Sequence, residues 1–314
     1  MGPLAGCLVL DFSTLLPGPL ATLLLAQAGA DVISIVRPRA EEMPSLASLQ
    51  RGKRRMELDL KDAEGRDRLR PLLAGADVLV EQFRPGVMQR LGVGYDDVSA
   101  MNARIVYCSI TGYGQHGRKS GTAGHDLNYI ADTGLLAQSM GKASDPVIPP
   151  ALIADIAGGS YPAVINILLA LRQREVTGRG CHLDVSMTDN LFTLMLGGSV
   201  ITGGSPRYRL YPTRDGRVLA VGALEQRFWD VVCDITNLEA ELRDDTKDPA
   251  RTAARLAELI AAETADTWAR RIAGRDCCCS IVATVEEAMA DAHFRERGLT
   301  AEHVPIAPHF RDVL

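Results

Sequence analysis

Short apolar runs alternate with helical patterns along the first third of the chain. The run at residues 4–12 predicts a buried strand, Pro17 and Pro19 begin a helix that ends before Gly29, and the β-branched run at 31–36 predicts a second strand. The same alternation continues with helices at 62–73 and before residue 91, and with strands at 77–80 and 104–109. Strands and helices that alternate with short connections are typical of right-handed βαβ units, so the pattern predicts a doubly wound parallel α/β sheet.

A different pattern begins after the strand predicted at 104–109. Residues 112–124 are rich in Gly, Ser and Thr and predict a loop able to fold over a ligand. Later elements are predicted helices at 125–138, 155–173, 248–262 and 267–272, a strand at 181–186, and a hairpin at 211–222 turning at 214–216. The change predicts a large α/β domain at 1–190, a linker at 191–204 and a smaller α+β domain at 205–294.

Composition narrows the class of protein. Of the 314 residues 46% are hydrophobic and 23% charged, enough to bury the cores of two domains. Lys and Arg total 34 against 39 Asp and Glu, and the net charge of -5 excludes a broad basic surface for nucleic acid. The apolar stretch at 15–28 is too short for a bilayer and contains prolines, and no charged region precedes a signal core. We therefore expect a cytoplasmic protein with neither a nucleic-acid nor a membrane partner.

The turn after the first strand, residues 11–19, lacks two common nucleotide-binding motifs. It contains neither GxGxxG nor GxxxxGK[ST], so a nicotinamide cofactor or a Walker-type nucleotide site has no support from the sequence. Three of the seven cysteines, 277–279, are consecutive. Neighbouring residues of a strand point to opposite faces, so the triplet is a poor metal cage. We expect buried, reduced thiols and no metal site.

Two residues are candidates for proton transfer. His125 follows the flexible loop at a predicted helix start, where the helix dipole favours the neutral imidazole that can accept a proton. Packing or capping of the helix is the alternative role. Asp155 lies in an apolar segment followed by two glycines, and a partly desolvated carboxylate can exchange protons or attack a carbonyl. A simple N-cap aspartate is the alternative there.

Cations and one further acid complete the candidate chemistry. Arg37, Arg84 and Arg90 lie close to predicted strand ends, and residues 51–55 form a basic run. Arginines at the carboxyl edge of a parallel sheet suit a phosphate-bearing ligand, although solvated surface charge is the alternative, above all for the basic run. Glu225 follows a strand of the smaller domain, and an exposed glutamate at a helix start is its alternative role.

Several motifs, in this order, resemble the family III coenzyme A transferases of the CaiB/BaiF type, and within them the α-methylacyl-CoA racemases. The resemblance covers most of the chain. The matching segments are residues 4–13, LPGP at 16–19, RGKR at 51–54, EQFRPGVM at 81–88, GYGQ at 112–115, GHDLNY at 124–129 and DIAGG at 155–159. The resemblance implies a large domain with a Rossmann-like parallel sheet, to which residues 295–314 return, a smaller α+β domain, and an interlocked homodimer.

The resemblance also implies roles for individual residues. His125 and Asp155 match an acid/base pair on opposite faces of the substrate's α-carbon, and Glu225 matches a glutamate that hydrogen-bonds the histidine. For the enolate oxygen we expect backbone N–H donors near the start of the Asp155 helix. The family's contacts with coenzyme A and the thioester carry over to Arg37, Leu58, Arg84, Arg90, Gly124, Asp126, Leu127, Asn128 and Tyr129. The substrate would be an acyl-CoA, with coenzyme A as part of it and no separate cofactor or metal.

Three functions remain open at this point. The racemase reading predicts epimerisation of 2-methylacyl-CoA thioesters through an enolate, and rests on His125 together with Asp155 and Glu225. The transferase reading makes the matching aspartate a nucleophile that passes CoA between carboxylic acids, and those relatives generally lack the histidine. A protein that binds CoA without catalysis is the third, motivated by a short stretch at 197–210.

Overall fold

The computed structural model describes residues 2–39, 44–196, 198 and 204–297. Their contacts divide into two compact units, the first ending at Leu196 and the second containing residues 204–297. The predicted return of 295–314 falls almost wholly outside the described residues, as does much of the predicted linker.

The first unit is built on a parallel sheet of six strands in the order β3-β2-β1-β4-β5-β8. These strands are β1 (Leu8–Asp11), β2 (Asp31–Val36), β3 (Arg54–Glu57), β4 (Val78–Glu81), β5 (Val106–Thr111) and β8 (Cys181–Ser186). A short antiparallel hairpin, whose two strands β6 (Gly141–Lys142) and β7 (Asp145–Pro146) have two residues each, is not part of this sheet. The predicted doubly wound α/β fold is confirmed.

Helices cover both faces of the sheet because successive strand residues point to opposite sides. Val9 packs in one apolar core and its neighbour Leu10 in the other. The helices of this unit are α1 (Pro17–Gln27), α2 (Ala63–Gly75), α3 (Val87–Arg90), α4 (Tyr95–Met101), α5 (Asp126–Asp132), α6 (Leu135–Ser139), α7 (Tyr161–Thr177) and α8 (Met187–Leu191). A π-helical segment, Ala154–Ser160, leads directly into α7, and 3-10 turns occupy Pro44–Gln50 and Phe192–Met195.

The second unit contains an antiparallel sheet in the order β11-β10-β9, packed against amphipathic helices. Trp229 and Trp268 are fully buried in its core, and their indole N–H groups donate to the carbonyls of Arg243 (2.7 Å) and Ile260 (2.9 Å). Its elements are β9 (Tyr208–Pro212), β10 (Val218–Gly222), α9 (Gln226–Thr236), a 3-10 turn (Ala240–Leu242), α10 (Pro249–Ala261), α11 (Ala265–Ile272), β11 (Cys279–Ile281), α12 (Val285–Ala290) and α13 (Ala292–Glu296).

Some local predictions were wrong. The single helix predicted at 125–138 is two helices, since Gly134 takes a φ of 83° between α5 and α6. Strand β3 was missed because its edge position leaves it polar, and helices α4 and α9 were missed as well. The cysteine triplet was expected to be buried, yet Cys278 is exposed, with a φ of 49°.

The helical stretch from Ala154 to Thr177 is long and apolar. Among the described residues it is the one stretch long and apolar enough to cross a membrane, by length and composition alone. Its residues Ala163, Ile167 and Ala170 are buried in the core of the first unit. A core helix meets the same criterion, so the stretch is weak evidence for a membrane span.

Candidate active site

A cavity of about 450 Å³ opens at the carboxyl edge of the parallel sheet. The strand order reverses between β1 and β4, and ligands of open α/β sheets bind at such a reversal. Four strand ends supply the wall: Leu15 and Pro17 follow β1, residues 82–85 follow β4, residues 110–112 end β5, and Met187 follows β8. The volume lies within the range of about 300–1,000 Å³ that is usual for small-molecule sites.

Close backbone contacts shape this edge. Gly18 donates its N–H to Gln82 Oε1 at 3.0 Å, which ties the start of α1 to the residue after β4. A Cβ atom at Gly18 would lie 2.2 Å from the Cβ of Ser13, so only glycine fits this turn. The LPGP and EQF motifs therefore meet at the reversal point and build one side of the cavity.

His125 lines the cavity from the last position of the loop. It is the N-cap residue of α5, with extended backbone angles, and its N–H donates to Asn128 Oδ1 at 3.0 Å. The side chain is exposed. Tyr129 anchors this turn by donating its hydroxyl to the Gly124 carbonyl at 2.6 Å. The predicted helix start is thus correct, and the imidazole is accessible to a ligand in the cavity.

Asp155 lines the same cavity from the first turn of the π-helical segment. It is the second residue of that segment and not its N-cap, so the simple capping role does not hold. Burial and, after it, the charge of Asp126 raise the pKa of Asp155 to about 6, against the opposing charge of His125. A carboxyl group whose pKa lies close to neutrality can both take and return a proton at physiological pH.

Asp126 holds the start of the Asp155 helix, and this corrects one expectation. Its carboxylate accepts the N–H of Asp155 at 2.9 Å. Asp126 is 5% exposed and is not among the residues that line the cavity. The N–H of Asp155, one of those expected to stabilise an enolate, is therefore already bonded to a carboxylate.

The other predicted ligand contacts separate into two groups. Arg84, Gly124, Asn128 and Tyr129 line the cavity with His125. Arg37, Leu58, Arg90 and Leu127 do not line it. Of these, Arg37, Arg90 and Leu127 are exposed, whereas the Leu58 side chain is 2% exposed and packs in the core.

The basic run at 51–55 contains a buried group that the sequence did not reveal. The Lys53 and Asp11 side chains are 1% and 0% exposed, and Lys53 Nζ lies 3.0 Å from Asp11 Oδ2. Lys53 also donates to Thr22 Oγ1 at 2.7 Å and to the Pro19 carbonyl at 2.8 Å. The prediction of solvated surface charge is therefore wrong for Lys53. Its side chain instead holds the turn that leads from β1 to the cavity wall. Arg54, the next residue, does pair with Asp31 on the surface.

Glu225 belongs to the second unit, where it is the exposed N-cap residue of α9. No hydrogen bond from its side chain caps the helix. Its pairing with His125 stays a prediction. No cluster of His, Cys, Asp and Glu that could hold a metal ion occurs within the described ranges.

Comparison with known proteins identifies relatives of both chemical classes. The model for CoA-transferase family III matches residues 4–305. A human alpha-methylacyl-CoA racemase is 34% identical over 97% of this chain and 85% of its own length. A mouse succinyl-CoA:glutarate CoA-transferase is 34% identical over 79% of this chain and 62% of its own. The crystal structure of Rv3272 from M. tuberculosis has a TM-score of 0.85 at 27% identity, covering 98% of this chain and 92% of that one.

Proposed function

The chain belongs to CoA-transferase family III, and we propose that it epimerises 2-methylacyl-CoA thioesters. The observation that carries this proposal is that His125 and Asp155 line one cavity, with the pKa of Asp155 raised to about 6 by burial. The human racemase relative named above supports the same reaction. Coenzyme A would enter as part of the substrate, with no separate cofactor and no metal.

The chemistry requires two proton-transfer groups. The hydrogen α to a thioester is weakly acidic, so a base must remove it and an acid must return a proton to the opposite face for the centre to invert. His125 would act on one epimer and Asp155 on the other, each serving as the acid when its partner is the base. Arg84, on the cavity wall, would pair with a phosphate of coenzyme A.

Transfer of CoA between carboxylic acids is the second candidate function, with Asp155 as the nucleophile. It is favoured by the transferase relatives and by the position of Asp155 on the cavity wall. The two functions differ in what they need, because a transferase requires an acceptor acid and leaves the α-hydrogen in place.

Proton NMR in D2O tests the proposal. A single epimer of a 2-methylacyl-CoA is incubated with the protein without any acceptor acid, and the product is then resolved on a chiral column. Loss of the α-proton signal together with epimerisation is expected. Retention of that signal, with CoA moving only after a free acid is added, would establish the transferase.

The pH dependence of kcat/KM should follow the ionisation of Asp155. For the epimer whose proton Asp155 removes, the carboxylate must be ionised, so kcat/KM falls as the pH drops through about 6. The charge of Asp126 raises the pKa of Asp155, so Asp126→Asn should lower that pKa and move the acidic limb to lower pH. The amide oxygen of the asparagine can still accept the N–H of Asp155. An unmoved limb in Asp126→Asn, measured beside the exposed control Asp67→Asn, would contradict this assignment.

We propose a homodimer as the working form. Helix α7 exposes an apolar row that the described residues leave uncovered: Tyr161 (48% exposed), Ile165 (57%), Leu168 (44%) and Leu169 (62%). Contiguous exposed apolar surface of this kind marks an interaction site. Leu169→Glu is expected to weaken self-association by about 100-fold or more, measured by sedimentation equilibrium. Met101→Glu, on α4, is the control, and an equal effect of both variants would argue against α7 as the interface.

A further inference from the structure

A buried carboxylate that the proposed chemistry does not use lies directly before the cavity wall. Glu81 is the last residue of β4 and is 4% exposed. Its Oε2 accepts the N–H of Phe83 at 2.8 Å, which turns the chain sharply after the strand. The next four residues, 82–85, all line the cavity, and Arg84 is among them. The side chain of Glu81 thus determines the path of the segment that carries Arg84.

The carboxylate is itself held by a chain of polar groups that crosses the sheet. Ser109, which faces Glu81 in the register of β4 with β5, is hydrogen-bonded to it. Ser109 Oγ also lies 2.9 Å from His182 Nε2 on β8. The His182 ring is stacked on Tyr95 with centroids 5.0 Å apart.

We propose that Glu81 is a positioning residue, whose ionised carboxylate holds the turn at Phe83 and thereby keeps Arg84 in place to bind a phosphate of the CoA substrate. This inference rests on the proposed function only for the identity of the ligand. The turn and the polar chain exist in the protein without it.

The strength of this positioning should depend on pH. The pKa of Glu81 is raised to about 7: burial is the main cause and the charge of Asp184 adds to it, while the bonds from Ser109 and the Phe83 N–H oppose the rise. An ionised carboxylate accepts stronger hydrogen bonds than a neutral carboxyl group. The turn is therefore held most firmly above pH 7 and loosens as the pH falls through that value.

Other titratable groups lie on the same face of the sheet. They are Tyr107 on β5, His182 and Asp184 on β8, and Asp96 and Asp97 on α4. Burial raises the pKa of Tyr107 and lowers that of His182, so both are neutral near pH 7. A transition close to pH 7 at this turn therefore belongs to Glu81.

The first measurement needs no ligand. In protein labelled with 15N-phenylalanine, the amide signal of Phe83 is followed from pH 5.5 to 8.5. We expect it to titrate with a midpoint near 7, to be flat in Glu81→Gln, and to titrate at higher pH in Ser109→Ala, which removes a bond to the ionised form. A Phe83 signal in the wild type that does not titrate, or that still titrates in Glu81→Gln, would overturn the inference.

The second measurement is calorimetric titration with coenzyme A at pH 6 and pH 8. Glu81→Gln should weaken binding about tenfold at pH 8 and little at pH 6, since the wild-type side chain is largely neutral there. The affinity of Glu81→Gln is compared with that of the wild type at the same pH, so the titration of the ligand's own phosphate cancels. Glu64→Gln, an exposed residue on α2, is the control. An equal loss at both pH values would mean that Glu81 is merely structural.

These two measurements separate the proposals. If the wild type does not bind coenzyme A while Phe83 titrates as described, the proposed function fails and the positioning of the turn stands. If coenzyme A binds equally to wild type and Glu81→Gln at both pH values, the positioning role fails and the proposed function stands.

Discussion

Replacing Asp155 by Asn is expected to abolish interconversion of the two epimers while proton exchange persists for one of them. An amide cannot accept a proton, so the epimer whose hydrogen Asp155 removes should become inert in D2O. His125 can still remove the hydrogen of the other epimer and return a deuteron to the same face. The expected loss of racemisation is about 10²–10⁴-fold, which is the usual contribution of one acid/base group.

The reciprocal variant makes the result decisive. His125→Asn should reverse the pattern, so that only the other epimer exchanges its α-hydrogen. Both variants should keep the affinity of the wild type for coenzyme A within about threefold, because the pair acts mainly in the transition state. Exchange of both epimers by Asp155→Asn, measured by NMR in D2O, would remove Asp155 from proton transfer. A nucleophilic Asp155 predicts no exchange in any of the three proteins.

Lys53→Met is the second variant with a large expected effect, which is on the stability of the fold. Lys53→Met should reduce the free energy of unfolding by about 3–5 kcal/mol, since it leaves the fully buried charge of Asp11 without its cation. Thr22 would remain as a hydrogen-bond donor to Asp11 Oδ2 (2.5 Å), but a hydroxyl does not neutralise the carboxylate. Urea denaturation followed by circular dichroism measures the change. Because Lys53 also bonds the Pro19 carbonyl, the turn that forms the cavity wall should loosen as well.

The neighbouring residue supplies a matched control. Arg54 is paired with Asp31, and their side chains are 62% and 52% exposed. Arg54→Met should therefore cost only about 0–1 kcal/mol, as exposed pairs generally do. Adding Asp11→Asn to Lys53→Met removes the uncompensated charge and should recover part of the lost stability. Equal, small effects of Lys53→Met and Arg54→Met would show that the buried pair does not stabilise the fold.

The local predictions succeeded where short-range signals decide the structure. The strand at 31–36 is found at that position, because an apolar run bounded by Gly, Pro or polar residues has few alternatives to a buried strand. The strand at 181–186 is also found where it was predicted. Helix α1 begins at Pro17 as its prolines indicate. Strand β3 has no such signal. It forms because β2 offers it an open edge, which a single segment cannot reveal.

The candidate site was predicted in part. The motifs identified the family, and that identification is confirmed. They did not reveal that Asp126 accepts the N–H of Asp155, because this bond joins residues 29 positions apart. The prediction of surface charge was wrong for Lys53 for the same reason. The sequence of a basic run is the same whether its middle lysine is solvated or, as here, pairs with a buried aspartate 42 positions away.

The sequence by itself determined the α/β alternation, the family and the two candidate residues for proton transfer. These follow from periodicity, from turn residues and from motifs, all of which act over a few positions of the chain. Only the tertiary structure brought His125 and Asp155 to one cavity and gave Asp155 a pKa near 6. Proximity and desolvation depend on which strands become neighbours and on what packs over them, and these are properties of the folded chain as a whole.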